Sequence, residues 1–159
     1  MSHTQAILAY YGEQQVSTQW RDVLHAMAEE FDGQLALPEL RALMSRIGER
    51  FATAKPLGDC ATLDELERAL NRVWHALDWG WIELVDLTEY LAVRHYCAPI
   101  AAAFGQGAAA WASAFLEGAY QYWFSALGAG EHLAVRQVET SAQDNDGAVM
   151  QVYEFRLAR

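Results

Sequence analysis

The stretch Ala108–Leu127, AAAWASAFLEGAYQYWFSAL, carries a single charged residue, Glu117, and is apolar on every side. A helix with that pattern must be covered on every side, so the rest of the chain has to supply layers around it. Gly128 and Gly130 close it. Upstream, from Tyr96 onward, Glu117 is still the only charge, which raises the question of a membrane span. Pro99 and the Gly105-Gln106-Gly107 turn interrupt the run, and alanine dominates its first half. A spanning helix needs about 20 continuous, strongly apolar residues. The expectation is a buried helix and no membrane insertion.

Three amphipathic helices precede it. Trp20, Val23, Leu24, Met27 and Phe31 recur at helical spacing after Thr18, and Gly33 ends that run. Pro38 stands in a first turn, followed by Leu40, Leu43, Met44, Ile47 and Phe51. Ala52 to Ala61, with Lys55, Pro56 and Gly58, reads as a loop. Thr62 and Glu65 form a capping box ahead of Leu63, Leu66, Leu70, Val73, Trp74 and Leu77. Each helix is expected to pack one side and leave the other wet. Residues 1–16 lie outside this pattern: Ala6 to Tyr11 is apolar without a period, so 1–16 reads as an arm and 17–159 as one domain.

The period changes at Asp78. Trp81 to Val85 and Tyr90 to Cys97 are rich in aromatic and branched residues and read as a hairpin through Asp86 and Thr88. A second hairpin closes the chain, with Leu133, Val135 and Gln137 alternating against Ala134, Arg136 and Val138. Its returning strand places Val149, Tyr153, Phe155 and Leu157 on one face. Asp144-Asn145-Asp146-Gly147 is the turn signal between them. The order ααα-ββ-α-ββ is an α+β fold with an antiparallel sheet. No internal repeat is visible.

With 21 acidic against 11 basic residues the net charge is −10, which repels nucleic-acid phosphates and anionic lipids. The start, MSHTQAILAYYGEQQ, lacks the basic and apolar regions of a secretory signal. Cys60 and Cys97 are too far apart in sequence for a CxxC site and are expected as thiols. The cytoplasm is therefore the expected compartment.

Catalytic and metal patterns are missing. His3, His25, His75, His95 and His132 are scattered, with no HxxxH or HExxH spacing. His95 is expected as a buried structural histidine. Asp144 and Asp146 resemble the start of a calcium loop, but the required Glu is absent. Gly105-Gln106-Gly107 lacks the lysine of a phosphate loop, and Ser113 and Ser125 sit in no GxSxG elbow. Glu117 has no charged partner one turn away. It is expected as a structural buried carboxylate paired with an arginine of another element, with the Ser113 hydroxyl as a possible donor. No catalytic residue, cofactor or metal is assigned. Six tryptophans, seven tyrosines and six phenylalanines exceed what one small core hides easily, so the surplus is expected at interfaces or against sugar rings. The residues singled out for such contacts are Ile7, Leu8, Tyr10, Tyr11, Trp79, Trp81, Trp111 and Trp123.

Two segments carry a family resemblance. Leu77-Asp78-Trp79-Gly80-Trp81-Ile82-Glu83-Leu84-Val85-Asp86 follows a long amphipathic helix, and Ala110-Trp111 leads to Phe115-Leu116-Glu117-Gly118-Ala119-Tyr120-Gln121-Tyr122-Trp123. With Arg94-His95 to Pro99 between them, and Gly48-Glu49-Arg50-Phe51 and Pro56-Leu57 with Cys60 upstream, the chain resembles the cellulose synthase operon protein D family over about residues 20–157. The resemblance implies an accessory protein without catalytic residues that forms an octameric ring built from dimers. It implies partners among the cellulose synthase complex subunits and the cellulose-complementing protein. Contact with glucan chains is also implied, along with a role in exporting and ordering them into crystalline cellulose. A periplasmic ring is the alternative location to the cytoplasm. The element order also resembles the haem-NO-binding and four-vinyl-reductase type of sensor, in which case His95 or Cys97 would meet a haem or other small ligand.

Overall fold

The structure, a computed structural model, describes residues 3–139 and 152–159. Its order is α1 (His3–Gln14), α2 (Thr18–Gln34), α3 (Leu37–Thr53), α4 (Leu63–Ala76), β1 (Trp81–Asp86), β2 (Leu91–Tyr96), α5 (Ile100–Phe104), a 3-10 turn (Gln106–Ala108), α6 (Ala109–Ala112), α7 (Ala114–Ala126), β3 (Ala134–Val138) and β4 (Val152–Ala158). The α+β class and both hairpins stand as expected. The Asp144–Gly147 turn and Val149 lie outside the described residues.

Local chemistry sets the helix starts. The Thr62 hydroxyl accepts from the Glu65 amide at 3.2 Å, and the Glu65 carboxylate accepts from the Ala61 amide at 2.7 Å. In front of α3, with Pro38 in its first turn, Glu39 accepts from the Ala36 amide at 2.9 Å. These contacts consume donors that a helix N-terminus leaves unpaired.

Two expectations about helices are corrected. The arm expected over residues 1–16 is helical over His3–Gln14, in α1, which has no buried residue. With no side chain of α1 buried, no inward face imposes a period on its sequence. The apolar helix from Ala108 is divided at Ser113 into α6 and α7. There the Leu116 amide bonds the Ser113 carbonyl three residues back, a tightened turn. The buried Ser113 hydroxyl donates to Gln137 Oε1 at 2.7 Å, so it serves β3 rather than Glu117.

α7 fills the expected place as the covered helix: Phe115, Leu116, Ala119, Tyr120, Trp123 and Phe124 are all buried. It crosses α3 backbone to backbone. A methyl group at Gly118 would stand 2.0 Å from the Ser45 carbonyl oxygen, and one at Gly48 would stand 1.9 Å from that of Phe115. Glycine is required at both positions by contact, whatever their dihedral angles.

The sheet is antiparallel with order β1-β2-β4-β3. Ile82, Val93, His95, Tyr153, Phe155 and Val135 point inward onto α4 and α7 and are buried. On the outer face Glu154 lies between Arg94 (3.3 Å) and Arg156 (2.9 Å), and the Arg156 guanidinium sits 4.4 Å from the Tyr90 ring centre. Although the sequence shows no repeat, the structure has two helix–hairpin units, α4-β1-β2 and α7-β3-β4, joined through β2 and β4.

Candidate functional site

The arm helix spans a cleft. α1, the start of α2, the turn from His75 to Trp81 and the segment Cys97–Gln106 enclose about 1290 Å³. Tyr11 and Trp81 supply aromatic surface there, and Gln15, Arg21, His25, His75 and Asp78 supply polar groups. Rings with hydrogen-bonding side chains around them suit a sugar polymer, whose faces are apolar and whose rim is hydroxylated.

Polar clamps at its C-terminal end hold α1 in place. The Gln15 carboxamide donates to the carbonyls of Asp78 (3.0 Å) and Cys97 (3.1 Å). Both acceptors have left-handed backbone, φ 56° and 58°, which is costly for residues with side chains and brings their carbonyls to one amide. The Arg21 guanidinium donates to the Glu13 and Val16 carbonyls, satisfying the end of α1. His25 donates through Nε2 to the Ala102 carbonyl at 3.0 Å, tying α2 to α5.

The surface of α1 and α2 carries half of the exposed large hydrophobic side chains among the described residues. Ile7, Leu8, Tyr10 and Tyr11 are 40–65% exposed, and Tyr10 meets Tyr11 edge-on at 5.6 Å. The Trp20–Phe31 stripe, expected to pack inward, is turned partly outward: Trp20, Val23 and Met27 are exposed, and Ala28 is the buried residue of α2. Trp81 joins this exterior, 39% exposed and stacked on Tyr96 at 5.3 Å. Burial, with Glu83 accepting from its hydroxyl at 2.9 Å, pushes the Tyr96 phenol up.

Other singled-out residues lie elsewhere. Trp111 and Trp123 are 2% and 1% exposed, so neither offers a contact surface; this corrects the expectation for both. Trp123 donates to the Lys55 carbonyl at 2.8 Å and meets Trp74 edge-on at 5.5 Å. Trp79 is half-buried, stacked on Trp74 at 5.7 Å and against Phe115 at 5.2 Å. Rings packed on rings hide more aromatic area than their number suggests.

Glu117 has the partner it lacked on its own helix, Arg41 of α3 at 3.3 Å. It is not fully buried, its side chain being 24% exposed. The same oxygen accepts from the Gln137 amide at 2.7 Å, and Arg41 also donates to the Ala110 carbonyl at 2.6 Å.

His95 is fully buried with both ring nitrogens engaged. Nε2 donates to the Trp79 carbonyl, which can only accept, and Nδ1 accepts from the Tyr120 hydroxyl, each at 2.6 Å. Burial pulls its pKa down to about 4 and pushes the Tyr120 phenol well up. No nitrogen remains for a haem iron, so the sensor reading is not favoured. Cys97 and Cys60 are thiols, and burial raises that of Cys97. Among the described residues no group of three or more His, Cys, Asp or Glu is placed to hold a metal, and no helix is long and apolar enough to cross a membrane.

Sequence reasoning missed Gln15 and Arg21, whose contacts are to backbone carbonyls and leave no residue pattern. It also missed the outward turn of Trp20, for which residue spacing gives no signal.

The family model for the D subunit of cellulose synthase matches residues 6–151. Cellulose synthase operon protein D of Komagataeibacter xylinus is 28% identical over 120 residues, covering 73% of this chain and 77% of the relative. The protein of that name from Komagataeibacter sucrofermentans gives the same figures. With the matched span running from the arm helix past β3, the chain belongs to the family of cellulose synthase D subunits and has its role in cellulose synthesis.

Proposed function

We propose that this chain is a non-catalytic accessory subunit of a bacterial cellulose synthase complex. In this reading it forms a closed homo-oligomer, an octameric ring built from dimers, that supports export of glucan chains and their ordering into crystalline cellulose. The observation that carries the assembly is the exterior of α2, where Trp20, Val23 and Met27 are exposed at helical spacing, an apolar stripe of the kind that another copy of the chain would cover. The cleft under α1, with Tyr11 and Trp81, is where a glucan chain would lie. The synthase subunits and the cellulose-complementing protein are the partners of the assembly, on the cytoplasmic side.

Light scattering coupled to size exclusion tests the assembly: a single species of several subunits is expected at micromolar concentration, and a clean monomer overturns it. Tyr11→Ala with Trp81→Ala tests the glucan contact. The doubly substituted protein should assemble normally yet fail to restore ordered cellulose to cells lacking the parent protein. Full restoration removes glucan contact from the reading.

A further inference from the structure

A sheet of four strands ends in two edges, and an open edge invites another strand to pair with it. Here both edges are closed in the same way. On β1, the Ile82 amide donates to Asn71 Oδ1 at 2.7 Å and its carbonyl accepts from Asn71 Nδ2 at 3.0 Å. Two residues on, the Leu84 amide donates to the Glu67 carboxylate at 2.7 Å. On β3, the Val135 amide donates to Gln121 Oε1 at 2.7 Å, and Gln121 Nε2 reaches the Leu133 carbonyl at 3.5 Å. Two residues on, the Gln137 amide donates to Glu117 at 2.7 Å.

The pattern is one device used twice: Glu67 and Asn71 on α4, Glu117 and Gln121 on α7, each a carboxylate followed four residues later by a carboxamide. Geometry explains the spacing. Four helical residues rise about 6 Å, and two strand residues rise about 6.7 Å, so one helix face meets alternate outward amides of an antiparallel strand. The chemistry is equally regular. The carboxamide imitates a neighbouring peptide group, giving an acceptor and a donor to the strand. The carboxylate takes the next amide, and Arg41 secures the one on α7.

We infer that Glu67, Asn71, Glu117 and Gln121 are edge stoppers that prevent strand addition, by a second copy of this chain or by an extended segment of another protein. Copies then meet through surfaces other than the sheet edges, whatever their number, so the inference stands apart from the ring proposed above.

The test is to open one edge with Asn71→Ala and Glu67→Ala together. Scattering-detected size exclusion and the infrared amide band of intermolecular sheet are then compared with the parent protein. The opened edge is expected to convert a discrete species into a polydisperse one at least tenfold larger, with new intermolecular sheet signal. A folded double variant with the parent's size distribution and infrared band overturns the inference. Should the double variant not fold, Asn71→Ala alone decides, read by exchange of the Ile82 amide. At least a tenfold loss of protection at Ile82 supports the stopper, and unchanged protection overturns it.

Discussion

The two ends of the aromatic inventory behave in opposite ways. Around α7, Trp74, Trp111, Trp123 and Tyr120 are at most 2% exposed and touch one another or Phe51, Trp79, Phe104 and Phe155. On α1 and α2, Tyr10, Tyr11 and Trp20 stand more than half exposed, and the attachment of α1 runs through Gln15 and Arg21. The same residue types are enclosed in the core in one region and left on the surface in the other. What separates them is the neighbouring glycine and alanine: Gly48 and Gly118 let α3 and α7 meet closely enough to enclose the rings, and α1 has no such counterpart.

The largest effect should come from cutting into the enclosed region. Trp123→Ala removes a ring that touches Phe51, Trp74 and Tyr120 and donates to Lys55. A cavity of that kind costs about 3–5 kcal/mol, whereas Trp20→Ala should change stability by less than about 0.5 kcal/mol. Urea unfolding of the two variants compares the regions directly, and equal losses would erase the contrast.

Acid should act on the enclosed region next. The neutral form of His95 is favoured in the fold, with a pKa of about 4 against the ordinary 6.5. Above 6.5 this contribution is fully present. As pH falls from 6.5 toward 4 the unfolded chain takes up a proton that the folded chain refuses, and stability declines, by roughly 3 kcal/mol once both forms are protonated. Melting curves at intervals across that window should show the decline. His95→Gln, which keeps a donor for the Trp79 carbonyl and does not titrate, should flatten it.

Glu117 sits between the regions in consequence as well as in exposure. Glu117→Gln loses the ion pair with Arg41 but keeps an acceptor for the Gln137 amide, and at this degree of exposure should cost about 1 kcal/mol. Glu117→Leu strands that amide and should cost about 2–3 kcal/mol. Equal losses in the two variants, measured by thermal melting, would show that the edge amide needs no acceptor.

Legibility in the sequence follows the same division. α7 was readable because an apolar helix with one charge has a single physical solution, and α4 because Thr62 and Glu65 announce its start. The helical state of residues 3–14 was not, since a helix that buries nothing leaves no period. Trp111 and Trp123 were misplaced by counting rings against chain length, a sum that ignores how rings stack on rings. The Gln15 clamp joins residues 63 and 82 positions apart through backbone carbonyls, which no side-chain pattern records. The arginine partner of Glu117 was anticipated as a type of residue. Its identity required the crossing of α3 over α7.

The smallest effect on folding should come from removing α1, and there function and stability part most clearly. α1 contributes no buried residue, so deleting residues 2–12 exposes little of the interior. Gln15 and Arg21 remain, and Val16 stays to seat the start of α2. The truncated protein should therefore be soluble, melt within about 3 °C of the parent, equivalent to a few tenths of a kcal/mol to about 1 kcal/mol, and still assemble. It should nevertheless fail to restore ordered cellulose in cells lacking the parent protein, because Tyr10 and Tyr11 and the roof of the cleft go with the helix. Full restoration would make the exposed tyrosines irrelevant to the product. An insoluble or monomeric truncation would move α1 to the stabilising side of the comparison, as part of the assembly's own interface.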